Sequence, residues 1–286
     1  MSLATISDDS VEWAVLRDRH RGVIRIADID ASFSGNVMDV ITDGTFAALS
    51  AAAMDVPGAK FSDPDSVSFA APYRRPRKIW GIGLNYRDHA ADLSEAVPDQ
   101  PASFVKCDHT IIGPDGQIVI PDGIGAVTSE AELGLVIGRV CENVEEVDAL
   151  DYVWGVTTIL DQTAGDILSQ DPRYLTRAKN FPTFFAFGPE LIPIDRVLRE
   201  FGNIEAVEIS TVRNNTEART GRVANMRYSP ASLVSFHSKM MPLFPGDIIS
   251  TGTPGALEIR PGDQIECRIP GIGSLVSVAA ESAYSL

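Results

Sequence analysis

The chain has 286 residues and a formal net charge of −15 at pH 7, from 24 lysine and arginine against 39 aspartate and glutamate residues. This length allows one large domain, or one domain with a small appendage. An acidic surface does not attract nucleic acid or anionic membranes, so we expect neither as a partner. Small anionic substrates stay compatible with this charge if a cation or local bases attract them.

The cysteines and the apolar stretches indicate the compartment. Cys107, Cys141 and Cys267 are widely spaced and form no CxxC pair of the kind that binds zinc, so we expect reduced thiols. The longest apolar stretches have the length of strands, and no charged-then-apolar leader opens the chain. We therefore expect a cytoplasmic protein with neither a signal peptide nor a membrane span.

Residues 1–75 predict a small N-terminal α+β domain. The alternating pattern within Val11–Asp30 is typical of one or two strands, and the alanine-rich stretch Thr45–Met54 predicts a short helix. Proline and aspartate clusters in residues 61–66 and 72–76 are typical of a linker. The second predicted domain is residues 76–286.

Residues 76–286 predict an α+β, β-dominated core, because short β-rich runs alternate with proline and glycine turns. The predicted strands are Lys78–Leu84, Ser103–Lys106, Ile118–Ile120, Glu132–Val140, Tyr152–Leu160, Ala206–Val212, Asp247–Thr251, Gln264–Ile269 and Gly273–Ala279. The predicted helices are Tyr86–Ala96, Thr163–Leu168 and Ser229–Met240. The pattern lacks the regular strand–helix alternation of a Rossmann fold.

A pair of glutamates predicts a metal site. Glu130 and Glu132 are two positions apart at the start of an apolar run, so on a strand they project to the same side. Asp161 ends a second apolar run, and the carboxylates converge if the two strands are neighbours. Oxygen ligands of this kind suit Mg²⁺ or Mn²⁺. The alternative is a solvated strand edge.

A histidine and an aspartate predict a general base. His89 and Asp92 are three residues apart in a predicted helix and share one of its faces. A carboxylate beside a histidine fixes the tautomer and raises the basicity of the imidazole, which suits activation of water. The alternative is an incidental pair on a surface helix. The short helix lies between glycine- and proline-bearing segments, so we expect it to act as a lid over substrate.

Two lysines and a loop are further candidates. Lys106 and Lys179 have apolar neighbours, which usually means a surface lysine with a packed stem. Beside three carboxylates, a lysine can instead balance charge or hold a substrate oxyanion. Residues 250–255 form a hydroxyl- and glycine-rich turn that can present backbone N–H groups and Thr253 to an anion. This turn lacks the GK[ST] sequence of a nucleotide-binding P-loop.

The order of these motifs resembles the fumarylacetoacetate hydrolase family over roughly residues 76 to 280. The motifs are Gly81-Ile82-Gly83-Leu84-Asn85-Tyr86-Arg87-Asp88-His89, Phe104-Val105-Lys106, Glu130-Ala131-Glu132-Leu133, Asp161, Ala178-Lys179-Asn180-Phe181, Pro245-Gly246-Asp247 and Thr251-Gly252-Thr253-Pro254. The resemblance implies the family's mixed β-sandwich or β-roll, preceded by the small N-terminal domain. It also implies a homodimer that binds Mg²⁺, with Mn²⁺ or Ca²⁺ as alternatives.

The same resemblance implies roles for particular residues. The implied metal ligands are Glu130, Glu132 and Asp161. The implied catalytic residues are the His89–Asp92 dyad and Lys106, and the implied substrate-binding residues are Tyr86, Lys179 and Thr253. Asp92 departs from the glutamate that is frequent in the family and is one methylene shorter.

A second departure concerns the grip on the substrate. The segment after the third ligand commonly carries an arginine and a glutamine that hold a 2-oxo carboxylate, and here Gly165 and Leu168 occupy those places. Loss of a bidentate guanidinium removes a strong carboxylate anchor. Either Arg173 or Arg177 replaces it, or the substrate differs at that end.

The predicted function is hydrolysis of a C–C bond in a 1,3-dioxo acid such as an acylpyruvate, within aromatic or sugar-acid catabolism. Two alternatives stay open at this point. One is decarboxylation of a 2-oxo acid, or isomerisation of an enol of the 2-hydroxyhepta-2,4-diene-1,7-dioate type, on the same site. The other is a non-catalytic binding protein that keeps the fold.

Overall fold

The computed structural model describes residues 1–8, 11–87 and 98–285. The strands are β1 (Ser2–Asp8), β2 (Val11–Asp18), β3 (Gly22–Arg25), β4 (Ser68–Ala70), β5 (Ile79–Gly83), β6 (Ala102–Lys106), β7 (Ile111–Ile112), β8 (Gln117–Asp122), β9 (Val127–Ile137), β10 (Val153–Ala164), β11 (Phe185–Phe187), β12 (Glu190–Pro193), β13 (Glu208–Arg213), β14 (Thr216–Arg222), β15 (Ile248–Ser250), β16 (Ala256–Ile259), β17 (Gln264–Ile269) and β18 (Gly273–Ser285). The α-helices span Ile26–Ile29, Val37–Thr42, Phe46–Met54, Gly165–Gln170, Leu175–Lys179, Ile194–Phe201 and Pro230–Met240. The strand-dominated α+β class is confirmed.

The described strands form two sheets of mixed direction. The larger has the order β3-β2-β1-β12-β10-β9-β15-β5-β6, with β4, β7, β11 and β16 joined to it off this path. The smaller has the order β14-β13-β17-β18-β8. Most pairs are antiparallel, whereas β15 pairs with β5, β11 with β7 and β18 with β8 in parallel.

The two faces of the larger sheet meet different partners. Leu133 and Leu135 of β9 belong to the apolar core shared with Ile265 and Leu275 of the smaller sheet. Val136 of β9 belongs to a second core. Successive strand residues face opposite sides, so the smaller sheet packs against one face and the second core covers the other.

The second core is built mainly from the N-terminal residues. It joins Leu3, Val37 and Val40 to Ile159 of β10. Strand β1 also pairs with β12, so the N-terminal strands continue the larger sheet. The boundary at residue 75 stays a prediction, because packing of this kind does not show which segment folds alone.

One predicted helix differs from the structure, and another is not tested by it. The helix predicted over Thr163–Leu168 spans Gly165–Gln170, because Thr163 still pairs with Thr128 in the sheet. A sheet hydrogen bond holds the backbone extended at that point, whatever its helix propensity. The helix predicted over Tyr86–Ala96 lies mostly outside the described residues. Within the described part of the chain, no helix is long and apolar enough to cross a membrane.

Candidate active site and metal centre

The carboxylates of Glu130, Glu132 and Asp161 converge on one face of the larger sheet. In the antiparallel pairing of β9 with β10, Asp161 lies directly opposite Glu130, and Ile159 lies opposite Glu132. Directly opposed residues point to the same side of a sheet, so all three carboxylates share a face. One ligand oxygen from each lies within 4.8 Å of the other two. The strands are therefore neighbours, as the metal prediction required.

Glu132 is buried and held by the end of β15. Its Oε2 accepts hydrogen bonds from the hydroxyl of Ser250 at 2.5 Å and from the backbone N–H of Gly252 at 2.7 Å. Burial, together with the negative charges of Asp161 and Glu130, raises the pKa of Glu132 to about 8. The turn after β15 therefore presents a backbone N–H to an anion, as predicted, and that anion is a carboxylate of the protein.

Asp161 is buried between two ammonium groups. The Nζ of Lys106 lies 2.6 Å from its Oδ1, and the Nζ of Lys179 lies 2.6 Å from its Oδ2. Burial favours the neutral acid, but the two ammonium groups outweigh it and lower the pKa of Asp161 below its ordinary value. Burial also lowers the pKa of Lys106, against the attraction of Asp161. Neither lysine is the surface residue that apolar neighbours usually indicate.

Glu130 is the least buried of the three carboxylates. Its Oε1 accepts a hydrogen bond from the hydroxyl of Thr163 at 2.8 Å, and its Oε2 lies 3.1 Å from the Nζ of Lys179. Glu130 is half-buried, whereas the other two carboxylates are buried. Substrate and solvent therefore have their easiest approach from the side of Glu130.

Tyr86 and Thr253 are both buried near the carboxylates. The hydroxyl of Tyr86 has no hydrogen-bond partner among the described residues, although a buried tyrosine hydroxyl usually has one. Burial, with the negative charge of Glu132 nearby, raises the pKa of Tyr86 above its ordinary range. The hydroxyl of Thr253 donates to the carbonyl of Gly255 at 3.1 Å. Tyr86 is therefore free to donate to a ligand, whereas Thr253 already supports its own turn.

The predicted dyad of His89 and Asp92 lies outside the described residues. The chain that leads to it is anchored by Asn85, whose side-chain amide donates to the carbonyls of Thr251 and Tyr228 at 2.8 and 3.1 Å. The carbonyl oxygen of the same side chain accepts from the backbone N–H of Tyr228 at 2.9 Å. Asn85 therefore joins the residues before the dyad to the turn that holds Glu132.

Two arginines were candidates to bind the carboxylate of the substrate, and neither lies beside the three carboxylates of the protein. Arg173 forms an exposed ion pair with Asp171, and Arg177 is exposed. A Cβ built on Gly165 meets one atom within 4 Å, the carbonyl oxygen of Ala126 at 3.5 Å, which is an ordinary contact. The position therefore has room for a larger side chain.

Sequence reasoning did not identify every residue that touches the carboxylates. It named the turn around Ser250 and Gly252 as an anion site, but not as the support of Glu132. It assigned no role to Thr163, which it placed inside a helix. The alternation of side chains along β10 could have identified Thr163. If the strand is continued past Asp161, Asp161 and Thr163 project to the same face.

The residues present fit a divalent cation. Their ligand atoms are carboxylate oxygens, the donors that hard cations prefer. The carboxylates lie close together in a buried place, where burial and then repulsion from Asp161 and Glu130 raise the pKa of Glu132. A bound cation would remove that repulsion.

Comparison with known proteins identifies a family for this chain. A family model for the fumarylacetoacetate hydrolase C-terminal domain matches residues 78–279. An uncharacterized protein of Methanocaldococcus jannaschii is 39% identical over 203 residues, covering 70% of this chain and 82% of that protein. The mitochondrial oxaloacetate tautomerase of Rattus norvegicus is 30% identical over 219 residues, covering 74% and 69%. The bifunctional isomerase/decarboxylase of 4-hydroxyphenylacetate degradation in Escherichia coli is 33% identical over 208 residues, covering 72% and 48%.

Solved structures have the same fold over nearly the whole chain. The 5-carboxymethyl-2-hydroxymuconate delta-isomerase of Mycobacterium smegmatis superposes with a TM-score of 0.75 at 27% identity, covering 99% of this chain and 100% of that one. Maleylpyruvate hydrolase of Sphingobium sp. SYK-6, solved with manganese(II) and pyruvate, superposes with a TM-score of 0.82 at 23% identity over the same shares. The predicted β-roll type, preceded by a small α+β unit, is confirmed as the fold.

Proposed function

Because this chain belongs to the fumarylacetoacetate hydrolase family, we propose that it is a divalent-metal-dependent enzyme that hydrolyses a C–C bond in a 1,3-dioxo acid of the acylpyruvate type. The observation that carries the proposal is the buried cluster of three carboxylates, whose oxygens lie within 4.8 Å of one another, with two lysines against it. Proteins similar to this chain bear the names of hydrolases, isomerases, decarboxylases and tautomerases. All of these are enzymes, which supports an enzymatic function for this chain.

Glu130, Glu132 and Asp161 would hold the cation, and we propose Mg²⁺, with Mn²⁺ and Ca²⁺ as alternatives. The manganese(II) in the Sphingobium structure supports a divalent cation in this fold. When bound, such a cation acts as a Lewis acid toward the oxygens of a chelating 2-oxo acid.

The two lysines hold positive charge where a substrate oxygen would become negative. An ammonium group has three N–H donors, and Lys179 uses two of them on Asp161 and Glu130. Lys106 uses one on Asp161 and makes a long contact of 3.5 Å with the carbonyl of Gln162. Each lysine therefore retains a donor for the substrate, and we propose that Lys106 stabilises the oxyanion. Tyr86, whose hydroxyl has no partner among the described residues, and Thr253 would also contact the substrate.

His89 and Asp92 would activate water. In this proposal the imidazole of His89 takes a proton from water, and Asp92 orients the ring and stabilises its charged form. The hydroxide attacks the distal carbonyl, and cleavage of the C–C bond leaves the electron pair on the pyruvate fragment as an enolate. A proton returned to that carbon balances the reaction and yields pyruvate and a carboxylic acid.

We also propose that the chain acts as a homodimer in the cytoplasm, in aromatic or sugar-acid catabolism. The homodimer is what the family resemblance implies. The name of the Escherichia coli relative, a 4-hydroxyphenylacetate degradation enzyme, supports a place in aromatic catabolism.

A second candidate is tautomerisation or decarboxylation of a 2-oxo diacid. The names of two relatives, the tautomerase of Rattus norvegicus and the isomerase/decarboxylase of Escherichia coli, favour it. Both reactions need a stabilised enolate but no attacking water. The two candidates therefore differ in their need for His89.

The test incubates metal-free protein with acylpyruvates and with oxaloacetate, with and without Mg²⁺ or Mn²⁺, and identifies the products by mass. Hydrolysis predicts metal-dependent release of pyruvate and a carboxylic acid, which His89→Ala lowers by roughly a hundredfold or more. His20→Ala, in an exposed turn, is the matched control.

Other products would change the assignment. Release of CO₂ from oxaloacetate, or faster decay of its enol without cleavage, would establish the second candidate. Metal binding with no turnover of any substrate would contradict both and establish a binding protein that keeps the fold.

A further inference from the structure

A glycine and a phenylalanine lie beside Lys179 on the same face of the larger sheet. Gly81 of β5 pairs with Phe104 of β6 on one side and with Ser250 of β15 on the other. Paired residues share a face, so Phe104, Gly81 and Ser250 form a row across the sheet. Ser250 holds Glu132, and the row therefore ends at the cluster of carboxylates.

The far end of the phenyl ring of Phe104 lies over Gly81. A Cβ built on Gly81 would be 2.2 Å from the Cζ and 2.4 Å from the Cε2 of Phe104, far closer than real Cβ atoms approach other atoms. The backbone dihedral φ of Gly81 is not in the left-handed region, so the conformation does not require glycine. The requirement at this position is space for the ring.

The ring meets the ammonium group of Lys179. The Nζ of Lys179 lies 4.9 Å from the centroid of Phe104, within the range of a cation–π interaction. The same Nζ donates to Asp161 at 2.6 Å and to Glu130 at 3.1 Å. Phe104 is 6% exposed and Lys179 is 5% exposed, so solvent screens this contact weakly.

The two lysines differ in their aromatic contacts. Lys106 is the last residue of β6, at the end of the strand order of the larger sheet, and its side chain is fully buried. Lys179 is the last residue of the short helix Leu175–Lys179 and reaches the cluster with a long, flexible side chain. The Nζ of Lys106 is 6.0 Å from its nearest ring, that of Phe185, at the limit of a cation–π contact.

We infer that Gly81 and Phe104 are a positioning pair for Lys179. Gly81 admits the ring, and the ring holds the ammonium group against Asp161 and Glu130 with one donor left for the substrate. Neither residue is a catalytic residue, because both act through Lys179. The kinetic part of this inference rests on the proposed function, whereas the position of the ammonium group does not.

Four variants separate this role from simple packing. Phe104→Leu removes the ring but keeps an apolar side chain, and Gly81→Ala displaces the ring. The double variant Gly81→Ala with Phe104→Leu tests whether the glycine acts only through the ring. Gly83→Ala is the matched control, because Gly83 lies on the same face of β5 and its added Cβ would meet only the carbonyl of Ala102 at 3.6 Å.

The first readout needs neither metal nor substrate. Metal-free protein is treated with acetic anhydride, and the acetylation rate of Lys179 is compared by mass spectrometry with that of Lys78, which pairs with Asp247 at 2.6 Å. We expect Phe104→Leu to raise the relative rate roughly tenfold, the size expected for loss of a desolvated cation–π contact. We expect Gly81→Ala to raise it by a similar factor, the double variant to match Phe104→Leu, and Gly83→Ala to change it by less than about twofold.

The second readout is kinetic. We expect kcat to fall roughly tenfold in Phe104→Leu and Gly81→Ala, with KM within about threefold, because the ammonium group contacts charge that develops during the reaction. Circular dichroism identifies any variant that fails to fold. If Gly81→Ala does not fold, Phe104→Leu against Gly83→Ala still decides the question.

Unchanged acetylation of Lys179 in folded Phe104→Leu would overturn the inference, whatever the activity. Additive effects of the two substitutions would also overturn it, because the glycine would then act independently of the ring. Raised acetylation in a protein that turns over no 2-oxo acid would support the positioning pair and contradict the proposed function.

Discussion

One face of the strand pair β9 and β10 has two regions of opposite character. At one end, Val136 is fully buried in the apolar core that includes the N-terminal residues, and this core extends to Ile159, directly opposite Glu132. At the other end, Glu130, Glu132 and Asp161 gather beside two lysines. The same strands in the same register therefore support both packing and charge. The apolar end therefore stabilises the fold, whereas the charged end is where we propose that a cation binds.

The charged end is costly in the metal-free protein. Buried charges lose their hydration, and the attraction between partners repays this only when every charge is matched. Asp161 is matched by two ammonium groups, whereas Glu132 has hydrogen bonds but no direct ammonium partner among the described residues. Four substitutions test this difference between the two ends.

Asp161→Asn should have the largest effect on stability. A neutral amide leaves the ammonium groups of Lys106 and Lys179 buried with much less compensation. Breaking a buried ion pair in this way costs about 3–5 kcal/mol, so we expect the free energy of unfolding to fall by about that amount. Urea unfolding of the metal-free protein measures it, with the exposed Asp122→Asn as control. A loss of stability no larger than that of the control would contradict the view that Asp161 compensates the charges of Lys106 and Lys179.

Glu132→Gln should change how stability depends on pH. The folded pKa of about 8 exceeds the ordinary 4.5, so the folded protein binds more protons than the unfolded chain between these values. Ionisation of Glu132 therefore lowers the free energy of unfolding as pH rises from about 4.5 to 8. The decrease is on the order of a few kcal/mol, and it is complete above pH 8.

The measurement is urea unfolding of metal-free protein at pH 5 and pH 8. We expect Glu132→Gln to be at least as stable as the original protein at pH 8. We also expect its free energy of unfolding to differ much less between pH 5 and pH 8 than that of the original protein does. The exposed Glu258→Gln serves as control. An unchanged pH dependence in Glu132→Gln would show that the charged end carries no such cost.

Gly165→Arg should extend the charged end. The space at Gly165 admits a side chain, and a guanidinium there would restore the missing grip on a carboxylate. A hydrogen bond to a charged group contributes about 1.5–3 kcal/mol, so we expect KM for a 2-oxo acid to fall by roughly tenfold. Steady-state kinetics measure it, with Gly165→Met as an uncharged control. Equal KM values for Arg and Met would show that the side chain does not reach the substrate.

Ile159→Val should have the smallest effect and act only on the apolar end. Removal of one buried methylene costs about 1 kcal/mol of unfolding free energy. Ile159 lies opposite Glu132 in the sheet, yet its side chain belongs to the second core. We therefore expect kcat to change by less than about twofold. A large loss of activity with little loss of stability would mean that the two ends are not separable.

Local patterns predicted much of this face. Period-two alternation placed Glu130 and Glu132 on one side of a strand, and the structure shows them there. All nine β-rich runs predicted in residues 76–286 overlap strands of the structure, since valine, isoleucine and threonine favour strands. The buried strand β1 was missed, because its first five residues are all buried and do not alternate.

Long-range contacts could not be predicted. No local pattern places Asp161 opposite Glu130, because register depends on how two distant strands pair. The same limit hid the role of Gly81, because its contact with the ring of Phe104 comes from a neighbouring strand. The roles of Ser250 and Thr163 likewise depend on neighbours from other strands.

The most direct test of the central claim is a titration of metal-free protein with Mn²⁺, followed by electron paramagnetic resonance. The account predicts a single tight site per chain in the original protein and in Glu258→Gln. It predicts loss of that site, or affinity weakened by roughly a hundredfold, in Glu132→Gln and Asp161→Asn. Equal Mn²⁺ affinity in all four proteins would contradict a metal centre at these carboxylates.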